Sequence, residues 1–203
     1  MGKDKRRKIM DRIRTDAVDT DIADVCVRAF REMCGAKEPD GCLSTSAALY
    51  LAFQHLGLQT VIRMGQVEIE GHPFYHAWLE AERQVFDIAI YGNTAFNPWS
   101  RQLGIRPVMP QINRAYCETD IPYFPNKFDE DFKAAGIAPM YMVPLIDYCD
   151  HSPKENAIYE EALSYLNLPV TPEQIKEIRQ MASGYRIGAN YPCNKPVVSA
   201  RQA

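Results

Sequence analysis

Three residue types in one order could do chemistry in this chain: Cys42 at the start of an apolar run, His76 on one extended segment and Asp87 on the next. A thiol with a pKa of about 8.5 is mostly protonated at neutral pH, and only the thiolate attacks a carbonyl carbon well. A helix N-terminus directed at Cys42 and an imidazolium at His76 would both favour the thiolate, whereas burial opposes it. Asp87 would accept a hydrogen bond from one ring nitrogen of His76, fixing the tautomer so that the other nitrogen faces the sulfur. The backbone N–H of Cys42 is the expected first donor to an oxyanion. Gln66 offers a side-chain amide as a second donor, with plain solvent exposure as the competing reading.

Pairing arithmetic links the second half of this set. Facing positions of an antiparallel hairpin have a constant sum of residue numbers, and for His76 and Asp87 that sum is 163. A turn centred between Ala81 and Glu82 would set the two side chains directly opposite, with Cβ atoms about 4.5 to 5.5 Å apart. Ala81-Glu82 is a poor type I′ turn, so a four-residue loop from Glu80 to Arg83 with the same midpoint is equally compatible. In this reading Phe74, His76, Trp78 and Glu80 share one face, as do Val85, Asp87 and Ala89. A slip of one residue would separate imidazole from carboxylate.

The elements that must position these groups follow from periodicity. From Asp19 to Cys34 the residues Ile22, Val25, Cys26, Ala29 and Met33 fall at helical spacing, with Asp19 or Thr20 as cap and Gly35 as stop. Leu43 to Leu56 reads as a largely apolar, central helix ending at Gly57. Three strands follow, Thr60 to Glu70, Phe74 to Glu80 and Gln84 to Ile90, joined by short links as an antiparallel meander. Twelve of the 14 prolines lie from Pro98 onward, which predicts an irregular segment over 97–150 that serves as a binding surface. Ser152-Pro153-Lys154-Glu155 and Thr171-Pro172-Glu173-Gln174 both read as capping boxes opening C-terminal helices within 152–185.

Composition bounds the rest. A chain of 203 residues buries about 70% of its unfolded surface, enough for one domain without metal or disulfide support. A hydrophobic share of 46% and a charged share of 24% exclude disorder and fibrous structure. Seven basic residues against two acidic ones in positions 1–14 predict a flexible basic arm, although a net charge of −3 argues against general nucleic-acid binding. With no apolar run after that arm, neither a signal peptide nor a membrane span is expected, and the cytoplasm is the expected location. The six cysteines lack zinc-ligand pairing, so no metal and no cofactor are expected.

The segment from Gly41-Cys42 through Ile90 resembles the transglutaminase-like superfamily of papain-fold cysteine enzymes. The resemblance lies in a Cys opening an Ala/Leu helix, then Gly57, a strand with Gly65, the run His76-Ala77-Trp78-Leu79-Glu80, and Val85-Phe86-Asp87. It implies a Cys42 nucleophile, a His76 base and an Asp87 orienting carboxylate. The implied fold is α+β, a central helix carrying the Cys packed on an antiparallel sheet carrying His and Asp, with extra helices. Gly41-Cys42-Leu43 departs from the Gln-Cys-Trp of eukaryotic transglutaminases, and the short spacing is more similar to small bacterial members, including leader-peptide peptidases. The expected activity is thiol-dependent cleavage of an amide or peptide bond in a peptide, protein or small amide. Acyl transfer to an amine by the same triad, or a non-catalytic binding module, are the rival readings.

Overall fold

The computed structural model describes residues 2–37, 41–128, 140–154 and 156–189. Three helices come first, α1 (Lys3–Asp16), α2 (Thr20–Ala36) and α3 (Cys42–His55), then strands β1 (Thr60–Ile69), β2 (His72–Ala81) and β3 (Gln84–Asp87). Helices α4 (Ala89–Phe96) and α5 (Pro98–Gln102) precede β4 (Gln111–Ala115) and β5 (Tyr123–Pro125). Helices α6 (Leu145–Asp150), α7 (Ala157–Leu166) and α8 (Pro172–Met181) complete the described elements.

The strands form one antiparallel sheet in the order β4-β3-β2-β1-β5. On one face lies the main core. Helix α3 is buried along almost its whole length because it is apolar on most sides, and it packs against β1, β2, α7 and α8. Leu49, Leu51 and Phe53 are fully enclosed there, each contributing about 1.5 to 3 kcal/mol. The opposite face carries a smaller cluster of Val67, Ile69, Trp78, Val85, Ile90, Ile105, Ile121 and Tyr123. His76 belongs to this second face by strand parity, while Ala77 and Leu79 face the main core.

Several expectations are corrected. The basic arm is helix α1, anchored by Ile9 and Ile13 in the core, because their spacing of four residues puts both on one stripe despite the surrounding charge. Helix α2 is capped by Asp19, whose side chain accepts from the Asp21 N–H, but runs past Gly35 to Ala36 and ends with Lys37 in the left-handed region at φ 56°. Segment 97–150 is not irregular throughout: it supplies both edge strands, β4 beside β3 and β5 beside β1. Ser152 does not open a helix, since its N–H closes α6 on the Cys149 carbonyl; α7 starts after Asn156, and Glu155 lies outside the described residues. Thr171 does cap α8, accepting from the Gln174 N–H at 3.2 Å.

Candidate active site

Cys42 is the first residue of α3, and Gly41 before it brings no capping side chain. The first intrahelical bond runs from the Thr45 N–H to the Gly41 carbonyl at 2.9 Å, so the opening N–H groups have no partner within the helix. Strand β3 pairs with β2 only over Leu79–Ala81 and then ends, so β3 does not cover β2 at Ala77. Helix α3 takes that place: the Ala77 N–H donates to the Cys42 sulfur, and the Ser46 hydroxyl donates to the Ala77 carbonyl at 3.2 Å.

The His76–Asp87 contact forms on a different register from the one expected. Leu79 pairs with Phe86 and Ala81 with Gln84, so facing numbers sum to 165 rather than 163. The turn is Glu82-Arg83, centred one residue later, with both residues at positive φ (50° and 68°). Strand twist favours such a turn, and it outweighs the poor left-handed propensity of Glu and Arg. Extrapolated, this register puts Asp87 opposite Trp78 and diagonal to His76. The offset is two residues, so the shared face survives, and His76 Nε2 reaches Asp87 Oδ2 at 2.8 Å. Ala89 is no strand residue: Asp87 Oδ1 accepts the Ile90 N–H at 3.0 Å and turns the chain into α4.

His76 and Asp87 are completely enclosed, and Cys42 is 7% exposed. Burial alone would favour neutral imidazole, but the charge and hydrogen bond of Asp87, with the Cys42 sulfur, push His76 up to about 10. Burial likewise pushes the Cys42 thiol up, yet the hydrogen bond and charge of His76 and the Ala77 N–H together hold it below its ordinary value. The arrangement therefore favours a thiolate–imidazolium pair. By contrast, burial pushes Cys26 and Cys149 upward, and neither touches a cation.

Two partners of the site escape a reading of the sequence. Asn93, on α4, reaches His76 Nδ1 with its amide nitrogen at 3.1 Å. The Tyr123 hydroxyl, from β5, donates to Asp87 Oδ2 at 2.6 Å. An Asp immediately before an apolar run is a helix-start signal, and Asp87 before Ile88-Ala89-Ile90-Tyr91 would have put Asn93 on the helix after it. Tyr123 gave no such signal, because its strand is only three residues long. Gln66 is buried rather than exposed, and pairs with Tyr75 and Phe124 on the face away from His76. Each residue of the run 76–80 has a task. Trp78 stacks beside the imidazole and donates through Nε1 to the Tyr116 hydroxyl at 3.1 Å. Tyr116 in turn donates to Glu80 at 2.6 Å, and Glu80 holds Arg63 in a two-pronged ion pair at 2.9 and 3.1 Å.

Space lies beside the start of α3. A cavity of about 120 Å³ is lined by Gly41, Thr45, Ala89 and Asn93 with Glu32 and Glu161. A groove of about 1100 Å³ shares Gly41, Glu32 and Glu161 with it and continues past Ser44, Tyr148, Val143 and Ile158. Among the described residues no cluster of His, Cys, Asp and Glu is suited to a metal ion, and no helix is long and apolar enough to cross a membrane.

A Cys-bearing helix packed on an antiparallel sheet, with extra helices around it, is the α+β architecture of papain-like and transglutaminase-like proteins. Residues 3–101 match the family model described as the transglutaminase-like superfamily. A crystal structure described only as a genomics one is similar at 16% identity, with 75% of this chain and 80% of that chain covered and a TM-score of 0.42. No curated protein matches.

Proposed function

We propose that this protein cleaves an amide or peptide bond through an acyl-enzyme on Cys42, with His76 as general base and acid and Asp87 as its orienting carboxylate. The observation that carries the reading is one buried imidazole held between two partners: its Nε2 engages Asp87 at 2.8 Å, and the ring also hydrogen-bonds the Cys42 sulfur. In the first step the Cys42 thiolate, its proton held on His76, attacks the carbonyl carbon, forming S–C while the carbonyl π pair moves to oxygen. Collapse re-forms the carbonyl and breaks the C–N bond, and the imidazolium protonates the departing amine. Water, deprotonated by His76, then attacks the acyl carbon, and collapse releases the acid and restores the thiolate–imidazolium pair.

The open groove that continues from Gly41 past Ser44, Tyr148 and Val143 supports an extended peptide as substrate. The test is to incubate wild type and Cys42→Ala with a peptide library and analyse the products by mass spectrometry. Cleavage by wild type alone, with mass increments at Cys42 during turnover, supports the reading. Cleavage retained in Cys42→Ala overturns it, and an amide product on addition of an amine would move the activity to acyl transfer.

A further inference from the structure

We propose that Asn93 supplies the second oxyanion donor: its side-chain N–H, beside His76 Nδ1, donates to the carbonyl oxygen of the substrate as Cys42 attacks. The inference rests on the cysteine-hydrolase reading of the site and adds to it a residue outside the Cys-His-Asp set.

Geometry argues for it first. Asn93 Nδ2 lies 3.1 Å from Nδ1 of the imidazole. Nε2 is occupied by Asp87, so Nδ1 is the nitrogen left to exchange a proton with the sulfur. Sulfur and amide therefore meet at one ring atom. Gly41, at the start of α3, and Asn93 both line the cavity of about 120 Å³. A carbonyl oxygen in that cavity would meet the N–H groups of the α3 start that have no partner within the helix, together with the Asn93 amide. Such a pair of preorganised donors is what a tetrahedral oxyanion requires.

Proton accounting argues for it second. In the thiolate–imidazolium pair Nδ1 already carries a proton and presents no lone pair to the Asn93 amide. The amide N–H therefore lacks an acceptor on the ring, and the carbonyl oxygen that gains negative charge as the thiolate attacks supplies one. The same proton placement that maintains the nucleophile thus leaves the donor available. Collapse of the intermediate returns the proton to the leaving amine and the amide to Nδ1, so no atom or electron is left over.

The backbone holds Asn93 for this use. Its carbonyl accepts from the enclosed Ser100 hydroxyl at 2.9 Å, and the turn of chain that carries it starts at the Asp87 cap. One carboxylate therefore orients the imidazole directly and, through α4, sets the amide against the other ring nitrogen.

The test compares two reactions of Cys42 in wild type, Asn93→Ala and the near-isosteric Asn93→Asp. Alkylation by iodoacetamide needs the thiolate but forms no oxyanion, whereas acylation by p-nitrophenyl acetate needs both. Expected is a loss of about 100-fold in acylation of Cys42, read as the added acetyl mass, in both variants. Alkylation at neutral pH is expected to be unchanged or faster, because removing a donor from Nδ1 eases protonation of the imidazole. Should alkylation fall in step with acylation, Asn93 is only a positioning residue and the proposal is overturned while the hydrolase reading stands. Unimpaired acylation in Asn93→Asp likewise overturns it. A wild-type Cys42 that neither alkylates ahead of the exposed Cys117 nor acylates overturns the hydrolase reading itself, and the proposal with it.

Discussion

Tyr123 and His76 share one oxygen of Asp87: the phenol donates to Oδ2 at 2.6 Å and the imidazole Nε2 sits 2.8 Å from the same atom. The phenol thus draws off part of the negative charge that holds the proton on His76. Tyr123→Phe keeps the ring packed edge-on against Trp78 but removes that competition. The acid limb of Cys42 alkylation is expected to move to lower pH. Denaturant unfolding should show about 1.5 to 3 kcal/mol lost with the charge-assisted bond. A limb that stays put or moves upward would contradict this role.

The pH window follows from two shifts of opposite sign. With His76 pushed up to about 10 and Cys42 held below its ordinary value, the thiolate–imidazolium pair exists between them. Stability contributed by His76 is fully present below its unfolded value of 6.5 and is lost as pH rises through about 10. For Cys42 the sign reverses, the contribution being present above 9.0 and lost as pH falls through its lowered value. Unfolding midpoints of wild type and His76→Gln, measured across this range, should therefore converge toward alkaline pH.

Asp87→Asn offers a single carbonyl oxygen to two donors that now use different oxygens, the His76 ring and the Ile90 N–H. If the amide keeps capping α4, its NH₂ group faces Nε2 and selects the wrong tautomer. Turnover on any substrate found for wild type is expected to fall by about 10⁴, with the circular dichroism spectrum retained. Loss of less than tenfold would mean that Asp87 is chiefly a helix cap.

Gly65 of β1 pairs with Pro125 of β5. A Cβ there would lie 2.2 Å from the Phe124 carbonyl oxygen, so Gly65→Ala must push β5, and Tyr123 with it, away from the sheet. The variant should reproduce the low-pH shift of Tyr123→Phe and melt earlier. A normal melting point together with a wild-type alkylation profile would show that β5 does not tune the site.

Ile13 tests the terminal helix. Ile13→Ala removes an enclosed side chain from the main core and is expected to cost about 2 to 5 kcal/mol by chemical denaturation. An unstructured arm would give no change.

What could be read from the residues alone was what local periodicity controls. Helices α2 and α3 follow from apolar spacing, and the common face of His76 and Asp87 follows from parity, which a two-residue offset leaves intact. The true register did not, because it depends on Glu82 and Arg83 adopting positive φ, a conformation their own propensities oppose and the flanking strands impose. Helix α4 was hidden for a related reason. Val85, Asp87 and Ala89 alternate like a strand, and only the bond from Ile90 to the Asp87 carboxylate shows that the chain has turned. Strands β4 and β5 are too short, and β5 too rich in proline, to rise above a loop signal, so Tyr123 was out of reach. Charge obscured the Ile9 and Ile13 stripe of α1.

The Glu82-Arg83 turn is exposed. Its length nevertheless acts as a parity bit for the site. Deleting or inserting one residue there would turn every side chain of β3 to the opposite face and take the carboxylate away from the imidazole, with the residue types of the reactive set untouched. Substitutions at the two positions should be borne easily. Length at this tip should therefore matter more than residue type, and a relative with one residue more or fewer there is expected to keep the fold and lose the His76–Asp87 contact.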